Sequence, residues 1–591
     1  MEAPSAGASE DGAILHWLKV IYQDRPEAEL GELATALARR IKTGAPEPAE
    51  LAGEPWDQGS CLLISYGDTI ADGRRAPLAC LADFVSGHLG SVVDAVHILP
   101  FFPATGDDGF SVLDYRAVDP RIGAWQDITA LSKNYRVMAD AVLNHGSRSS
   151  RWFRQFVDQE APGKDYYLTV AEDFDISQVV RPRAHPLLQP VETAAGRKQV
   201  WCTFSPDQVD FDFSNPRLLE EFLHIMLDFL DHGVRILRLD AVGFLWKESG
   251  TSCLNLPQTH AIIKLIRQIT DLYCPQTIIV TETNLPNQEN LSYFGNGNEA
   301  HWIYNFPLPP LILHSLLMAD ATILRRWSMS MPPALEGTSY LNFLSSHDGF
   351  GMRPTEGLLD ETQRQALLDR LADNGSLFSW RSVGEGKKTV YEANITLYSA
   401  LEKTDRDPQG TYRIERFIAA YCLVFGLEGI PAIYLNSFIG AENDLDGVAR
   451  SGLNRRINRQ KFDQGWLEDQ LADKTSRQAR ILNRLKELLA LRAGQPAFHP
   501  NAVQFTLQLH PGLFGVWRQS RDRKQSIFAI TNLQPEAARL HISEINLIDT
   551  EAWGDLIAGT LLPAGEEVVT LTPYQTVWIT NHWQDGAIRS D

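Results

Sequence analysis

Short apolar runs alternate along most of the chain with longer stretches whose apolar positions repeat about every 3.6 residues. The short runs have the length of strands buried on both faces, and the longer stretches have the periodicity of helices that cover such a sheet. Eight strands are predicted in this way, which is the number that a closed (β/α)8 TIM barrel of the α/β class requires. The runs lie at 61–66, 95–100, 136–142, 234–240, 277–282, 301–306, 340–348 and 430–435.

Two gaps between the predicted strands are too long for loops, because connections in α/β units are usually a few residues plus a helix. We therefore expect two inserted subdomains that overhang the barrel mouth. After residue 500 the pattern changes to short alternating strands, which predicts a C-terminal β-sandwich. The expected division is a helical extension and linker at 1–58, barrel segments at 59–145, 214–348 and 410–499, insertions at 146–213 and 349–409, and the sandwich at 500–591.

Three acidic residues, Asp240, Glu282 and Asp348, each end one of the predicted strands. A charge at the end of a buried strand is costly unless it is used, and the active sites of α/β barrels gather at that face. A carboxylate cluster there predicts acid/base and covalent chemistry on a glycosidic bond.

Retaining cleavage of a glycoside needs a nucleophilic carboxylate and a second carboxyl about 5 to 5.5 Å away that acts as acid and then as base. Arg238 faces the same side of its strand as Asp240 and is expected to favour its ionised form, which suits a nucleophile. Glu282 follows an uncharged run that should raise its pKa, as a proton donor requires. Asp348 is expected to stabilise the positive charge of the transition state.

Composition limits the partners of this chain. Its 591 residues carry a formal net charge of −20, which argues against nucleic-acid or membrane-surface binding and favours a small-molecule substrate. The six cysteines form no CxxC pair, so reduced, mostly buried thiols are expected. No signal peptide or membrane span is recognised, so we expect a cytoplasmic protein. Its expected oligomeric state is a monomer or a homodimer. The proposed chemistry needs no cofactor and no metal.

The residues around the three acids resemble the α-amylase superfamily (glycoside hydrolase family 13). Its four short regions match, in order, the segments 140–145, 238–242, Glu282 and 343–348. The resemblance implies that Asp240 is the nucleophile, Glu282 the acid/base and Asp348 the transition-state stabiliser. It also implies that Arg238, His145 and His347 contact the bound glucosyl ring, and it accounts for the two insertions and the terminal sandwich.

A narrower resemblance, from about residue 62 to 459, is to the sucrose phosphorylase subfamily. Its matching segments include 66–68, 97–102, 107–110, 181–183, 204–210, 247–253, 304–310, 347–351 and 454–459. The resemblance implies that Asp107 and Arg455 hold the far hydroxyls of the glucosyl unit, with Arg459 as the alternative to Arg455. Phe110 and Phe204 would flank the pocket, and Gln208 would face the acceptor together with the loop at Tyr391 and Glu392.

Phosphorolysis requires a phosphate dianion to reach an acidic site, so local cationic donors are needed. Arg183, whose planar fork suits phosphate oxygens, and the Tyr391 hydroxyl match the subfamily's phosphate contacts. Read by itself, Arg183 would be an ordinary surface arginine.

The acceptor loop departs from the sucrose pattern, because Glu392 stands where sucrose phosphorylases usually have glutamine. This loop and the N-terminal extension look more like glucosylglycerate phosphorylases. Glycerate carries a carboxylate, so the cationic residues Lys387, Lys388 and Arg353 are candidate acceptor contacts, although each could equally be a solvated charge. Phosphorolysis of sucrose, glucosylglycerol or sucrose 6-phosphate stays as an alternative, followed by an α-glucosidase or transglucosidase and, last, a non-catalytic sugar-binding scaffold.

Overall fold

A closed barrel of eight parallel strands forms the centre of the protein. The computed structural model describes residues 9–44, 54–382, 388–545, 552–563, 565 and 567–582. The barrel strands are β1 (Leu62–Ser65), β2 (Ala95–Ile98), β3 (Arg136–Val142), β4 (Val234–Asp240), β5 (Ile278–Thr281), β6 (Trp302–Tyr304), β7 (Ser339–Phe343) and β8 (Ile430–Tyr434). Each strand pairs with its neighbours in chain order, and β1 closes the ring by pairing with both β2 and β8.

The predicted fold class and all eight predicted strands are confirmed. The strands are buried almost throughout because helices cover the barrel from outside, which explains their continuous apolar runs. One predicted strand end is wrong. β7 stops at Phe343, so Asp348 lies on the loop that follows and not at the strand end.

The helices around the barrel begin at residues that cap them or fix the backbone. The helix after the first insertion is typical, since the Asn215 side chain accepts a hydrogen bond from Arg217 N and Pro216 occupies the first turn. The helices are Glu10–Ile21, Glu27–Gly44, Pro77–Phe84, Trp125–Leu131, Arg151–Asp158, Pro216–Asp231, Pro257–Tyr273, Asn287–Leu291, Leu308–Met318, Thr322–Ser330, Glu361–Asp373, Leu397–Ala400, Arg413–Gly426, Leu435–Phe438, Leu445–Ser451, Gln464–Ala472 and Arg477–Ala493.

The first two helices, Glu10–Ile21 and Glu27–Gly44, pack against each other and against the barrel helix Pro257–Tyr273. Their apolar faces, which include Trp17 and Leu37, are buried in the main core. The N-terminal helical region therefore belongs to the wall of the barrel domain rather than to a separate unit.

Both long gaps contain structure above the C-terminal ends of the barrel strands. The first holds the hairpin Leu188–Thr193 and Gly196–Trp201, and Gln208–Asp210 pairs there with His145–Ser147. The second holds a three-stranded sheet of Phe350–Gly351, Lys388–Asn394 and Leu377–Ser382, with Lys388–Asn394 in the middle.

The C-terminal part of the chain contains a six-stranded sheet and a two-stranded sheet that share a small apolar core. The strands are Val503–Thr506, Leu513–Gln519, Ser526–Asn532, Ala538–His541, Gly554–Asp555, Thr560–Leu561, Val568–Leu571 and Thr576–Thr580. The six cysteines are buried and unpaired, as predicted. Within the described segments, no helix has the length and apolar character to cross a bilayer.

Candidate active site

A pocket at the C-terminal mouth of the barrel brings together most of the residues that the sequence singled out. Barrel loops supply its floor, and the two insertions supply its sides. Of the predicted residues, it is lined by the three acids Asp240, Glu282 and Asp348 and by Asp107, Phe110, His145, Arg183, Phe204, Gln208, Arg238, His347, Arg353, Tyr391, Glu392 and Arg455.

Asp240 is the last residue of β4 and is held by Arg238, as predicted. Arg238 Nη1 lies 2.6 Å from Asp240 Oδ1 and also contacts the buried carboxylate of Asp140. Asp140 in turn accepts from His97 Nε2 at 2.7 Å. Since Arg238 contacts only Oδ1 of Asp240, the second oxygen is left to react.

Glu282 directly follows β5 and extends the strand pairing by one residue, because its N–H donates to Leu239 O at 3.1 Å. Its Oε2 accepts from Ala241 N at 3.1 Å. Ala241 adopts a left-handed conformation with φ 49°, a strained state for a residue with a side chain. This turn links the residue after Asp240 to the carboxyl of Glu282.

The two carboxyls compete for ionisation. Burial raises the pKa of Glu282, as the sequence predicted for a proton donor. Burial also raises the pKa of Asp240 to about 8, against the lowering effect of Arg238 and with help from Glu282. Arg238 lowers the pKa of Asp240, as expected, but burial outweighs this effect, and the two carboxyls titrate as a pair.

Asp348 is the ionised member of the trio. Burial opposes its ionisation, but the guanidinium groups of Arg455 and Arg459 lower the pKa of Asp348 below its ordinary range. Arg455 Nη1 lies 2.7 Å from Asp348 Oδ1, whereas Arg459 Nη2 lies 3.5 Å from it. Arg455 lines the pocket, and Arg459 lies behind it with its Nε donating to His347 O at 2.9 Å.

Aromatic rings and imidazoles form the floor expected for a glucosyl unit. The His347 ring stacks on Phe110 with centroids 5.0 Å apart, and burial lowers the pKa of His347 to about 3, so the ring is neutral. His145 Nε2 lies 3.1 Å from Phe110 O and 3.1 Å from the amide nitrogen of Gln208. Gln208 therefore lines the pocket while it is also bound to His145.

Glu392 lines the pocket, but its carboxylate is already bonded within the wall. Its Oε2 lies 3.1 Å from Arg455 Nε, and its Oε1 lies 3.2 Å from Arg455 Nη2 and accepts from Gly349 N at 3.0 Å. Glu392 therefore orients Arg455, which in turn contacts Asp348.

Arg183 and Tyr391, which come from different insertions, meet at the pocket mouth. The Arg183 guanidinium carbon lies 4.9 Å from the Tyr391 ring centroid and 6.0 Å from that of Phe204. Burial raises the pKa of the Tyr391 hydroxyl, which keeps it a hydrogen-bond donor.

Of the cationic acceptor candidates, Arg353 lines the pocket and Lys388 does not. Lys388 is exposed at the start of its strand, away from the pocket lining, and its role as an acceptor contact stays a prediction. The pairing of the strand Lys388–Asn394 shifts by one residue at Tyr391, and Tyr391 and Glu392, later in the strand, both line the pocket. Lys387 lies outside the described residues.

Sequence reasoning gave no role to several residues that shape the site. Asp140 and His97 were visible as polar residues inside buried strands, and the structure shows them holding Arg238. Tyr304 lies with its ring centroid 5.6 Å from the Arg238 guanidinium, and Asn284 lines the pocket two residues after Glu282. In the described part of the chain, no group of three or more His, Cys, Asp or Glu residues is arranged to hold a metal.

Comparison with known proteins gives a consistent result. Residues 88–349 match the model of the alpha amylase catalytic domain. The glucosylglycerate phosphorylase of Allomeiothermus silvanus is 42% identical over 96% of this chain and 98% of its own length, and that of Escherichia coli is 36% identical over 89% and 92%. A sucrose phosphorylase of Agrobacterium vitis is 29% identical over 82% and 95%.

Among solved structures, the sucrose 6F-phosphate phosphorylase from Thermoanaerobacter thermosaccharolyticum superposes with a TM-score of 0.70 at 24% identity. The match covers 83% of this chain and 96% of that chain. At this level of identity the superposition shows a shared fold.

Proposed function

The chain belongs to the glycoside phosphorylases of the α-amylase family, and on that premise we propose that it converts glucosylglycerate and phosphate into α-glucose 1-phosphate and glycerate. The observation that carries this proposal is the 42% identity to a glucosylglycerate phosphorylase over 96% of the chain. The sucrose phosphorylases, which represent the main alternative, are similar at lower identity and over less of the chain.

In the first step, Asp240 in its ionised form attacks the anomeric carbon of the glucosyl unit through the oxygen that Arg238 does not contact. The bond from that carbon to the glycerate oxygen breaks, and Glu282 gives its proton to the departing oxygen. Ala241 N bonds to Glu282 Oε2, which leaves Oε1 to carry the proton. The products of this step are glycerate and a glucosyl ester of Asp240.

In the second step, a phosphate oxygen attacks the same carbon and releases the Asp240 carboxylate. Glu282, now ionised, accepts the proton that the attacking phosphate loses. Two displacements at one carbon give net retention of the α configuration. Asp348, ionised and held by Arg455, lies in the pocket wall where it stabilises the positive charge that develops on the sugar ring.

Arg183 and Tyr391 are the proposed phosphate contacts. A phosphate dianion entering a pocket lined by five carboxyl side chains needs a compensating cation, and the guanidinium of Arg183 supplies it. The Tyr391 hydroxyl donates a further hydrogen bond. Asp107, Phe110, His145, Phe204, Arg238, His347 and Arg455 are the proposed glucosyl contacts.

Two further proposals concern the cellular compartment and the oligomeric state of the enzyme. The six unpaired thiols favour a reducing compartment, which in a cell is the cytoplasm. The oligomeric state stays a prediction, monomer or homodimer, that light scattering can test.

The function is tested by incubating the protein with phosphate and each candidate glucoside separately. We expect glucose 1-phosphate from glucosylglycerate at a rate well above that from sucrose, glucosylglycerol or sucrose 6-phosphate. Release of free glucose without phosphate consumption would contradict phosphorolysis. A clear preference for sucrose would contradict the proposed acceptor while keeping the reaction type.

A further inference from the structure

In the part of the chain that the structure describes, two arginines of the pocket lining differ from the others in having no carboxylate partner. Arg238 and Arg455 are bound to carboxylates, but in the described ranges no carboxylate lies within ion-pair distance of Arg183 or Arg353. Arg183 comes from the first insertion and Arg353 from the second. An unpaired guanidinium in the lining of a pocket is suited to bind an anionic ligand.

Two described acidic residues that act on the charge of Arg353 are bound to other groups. Glu356 is bound by Arg381, and Glu289 accepts a hydrogen bond from Asn255 Nδ2 at 2.8 Å. Arg353 is half-buried in the pocket wall, where Glu356 and Glu289 favour its charged form from a distance but neither forms an ion pair with it.

The backbone places Arg353 beside Tyr391 and close to Asn284. Met352 N donates to Tyr391 O at 2.9 Å, which fixes the start of the short 3-10 turn that carries Arg353. Gly351 lies so near to Asn284 that a Cβ on this glycine would be 2.8 Å from Asn284 Nδ2. The side chain of Asn284 therefore reaches the Arg353 segment because residue 351 is a glycine.

Asn284 also has an unused hydrogen-bonding group. Its Oδ1 is buried, and no described residue bonds to it. Asn284 lies two residues after Glu282, which must face the oxygen of the leaving acceptor. A carboxamide at this position can donate its N–H to a carboxylate and accept a hydroxyl proton.

The chemistry of the acceptor limits where its charge can lie. Glycerate has three carbons, so its carboxylate is at most two carbons from whichever hydroxyl carries the glucosyl unit. When the bridging oxygen faces Glu282, the carboxylate must therefore lie close to Glu282 and within the acceptor end of the pocket. Arg353 and Asn284 line the same pocket as Glu282, and Asn284 lies only two residues after it.

We propose that Arg353 and Asn284 form the binding site for the carboxylate of the three-carbon acceptor, separate from the phosphate site at Arg183 and Tyr391. This inference rests on the proposed function and assigns the two anionic ligands to different residues. The two anions never need to bind together, because glycerate leaves before phosphate enters. A separate site for each anion allows the pocket to bind glycerate selectively without lowering its affinity for phosphate.

Two assays separate the two sites. Exchange of labelled phosphate into glucose 1-phosphate, measured without glycerate, uses only the glucosyl site, the phosphate site and the pair Asp240 and Glu282. Synthesis from glucose 1-phosphate and glycerate uses the carboxylate site as well. We expect Arg353→Gln to raise the KM for glycerate by about 10- to 100-fold, the effect of losing one charged hydrogen bond, while the exchange rate changes by less than about 3-fold.

Asn284→Asp sharpens the test because it changes one atom and adds a negative charge. It should weaken glycerate binding more than Asn284→Ala does, since the new carboxylate repels that of the acceptor. Arg183→Gln should give the opposite pattern, with a raised KM for phosphate in the exchange assay. Arg450→Gln, the same change at an exposed arginine, is the control and should alter neither assay.

The outcomes are distinct. An Arg353→Gln variant that loses exchange and glycerate use equally would mean one shared anion site and would overturn the inference. An unchanged KM for glycerate would overturn it as well, while leaving the proposed function in place. A wild-type protein that exchanges phosphate but does not use glycerate would overturn both proposals.

Discussion

Glu392 and Arg455 form a two-point ion pair in the wall of the pocket. Arg455 Nε lies 3.1 Å from Glu392 Oε2, and Arg455 Nη2 lies 3.2 Å from Glu392 Oε1. The same guanidinium reaches Asp348 through Nη1 at 2.7 Å. Glu392 is thus a positioning residue whose effect on the reaction passes through Arg455 to the ionised carboxylate of Asp348.

Glu392→Gln keeps the shape of the side chain but removes the charge that fixes Arg455. We expect kcat/KM for glucosylglycerate to fall by about 10- to 100-fold, the range for one charge-assisted contact. Because Asp348 is held less well, the fall should lie mainly in kcat. Glu361→Gln is the control, since Glu361 is exposed and lies 3.7 Å from Arg364. An unchanged kcat in the Glu392 variant would show that Arg455 needs no such support.

Asp240→Asn should remove activity by several orders of magnitude, because the amide cannot form the glucosyl ester. Circular dichroism and the unfolding temperature should show a folded protein. Mass spectrometry of wild type after brief mixing with glucose 1-phosphate should detect a glucosyl adduct that the variant lacks. A glucosyl adduct on the Asp240→Asn variant would rule out Asp240 as the nucleophile.

The stability of the protein should depend on pH through Asp240. The pKa of Asp240 is raised to about 8 in the fold, mainly by burial, from its ordinary value of 3.8. The neutral carboxyl is therefore favoured by folding, and its stabilising contribution is complete below the unfolded pKa and is lost as pH rises through the folded pKa. The melting temperature of Asp240→Asn should exceed that of wild type by an amount that grows from about pH 4 to about pH 8 and then levels off. A constant difference across this range would contradict the raised pKa.

The rate of glucosyl transfer to Asp240 should also follow this ionisation. The leaving group of α-glucosyl fluoride needs little help from an acid. With this substrate, kcat/KM should rise with pH, with its midpoint at the Asp240 pKa of about 8, and then reach a plateau. Burial is the largest cause of that raised pKa, and the Glu282 carboxylate adds to it. Glu282→Gln should therefore move the rise to lower pH. The same pH profile in both proteins would show that the two carboxyls are not coupled.

Asp140→Ala should destabilise the protein strongly. Asp140 is fully buried between His97 and Arg238, so its loss leaves the Arg238 guanidinium with Asp240 as its remaining carboxylate. Breaking a buried ion pair costs about 3–5 kcal/mol, which urea denaturation can measure. Asp165→Ala, at a side chain that is 67% exposed, is the control and should cost less than about 1 kcal/mol. Equal midpoints for the two variants would contradict the role given to Asp140.

The sequence determined the barrel by itself. Each strand is a short, mostly apolar run, and each connection is long enough for a helix, so local pattern and chain order were sufficient to predict eight parallel strands. It also determined where the chemistry lies, because Asp240 and Glu282 close two of those runs and polar residues gather at that end of a barrel. The resemblance of the motifs around them indicated the reaction.

Only the tertiary structure decided how the charged side chains are paired. Glu392 and Arg455 are far apart in sequence, as are Asp140 and Arg238, and no periodicity indicates which carboxylate an arginine will reach. The raised pKa of Asp240 follows from burial by the whole barrel and from Glu282 on the next strand, whereas the sequence showed only the nearby Arg238. Ion pairs and desolvation depend on distances of a few ångströms between remote segments, and these distances exist only once the chain has folded.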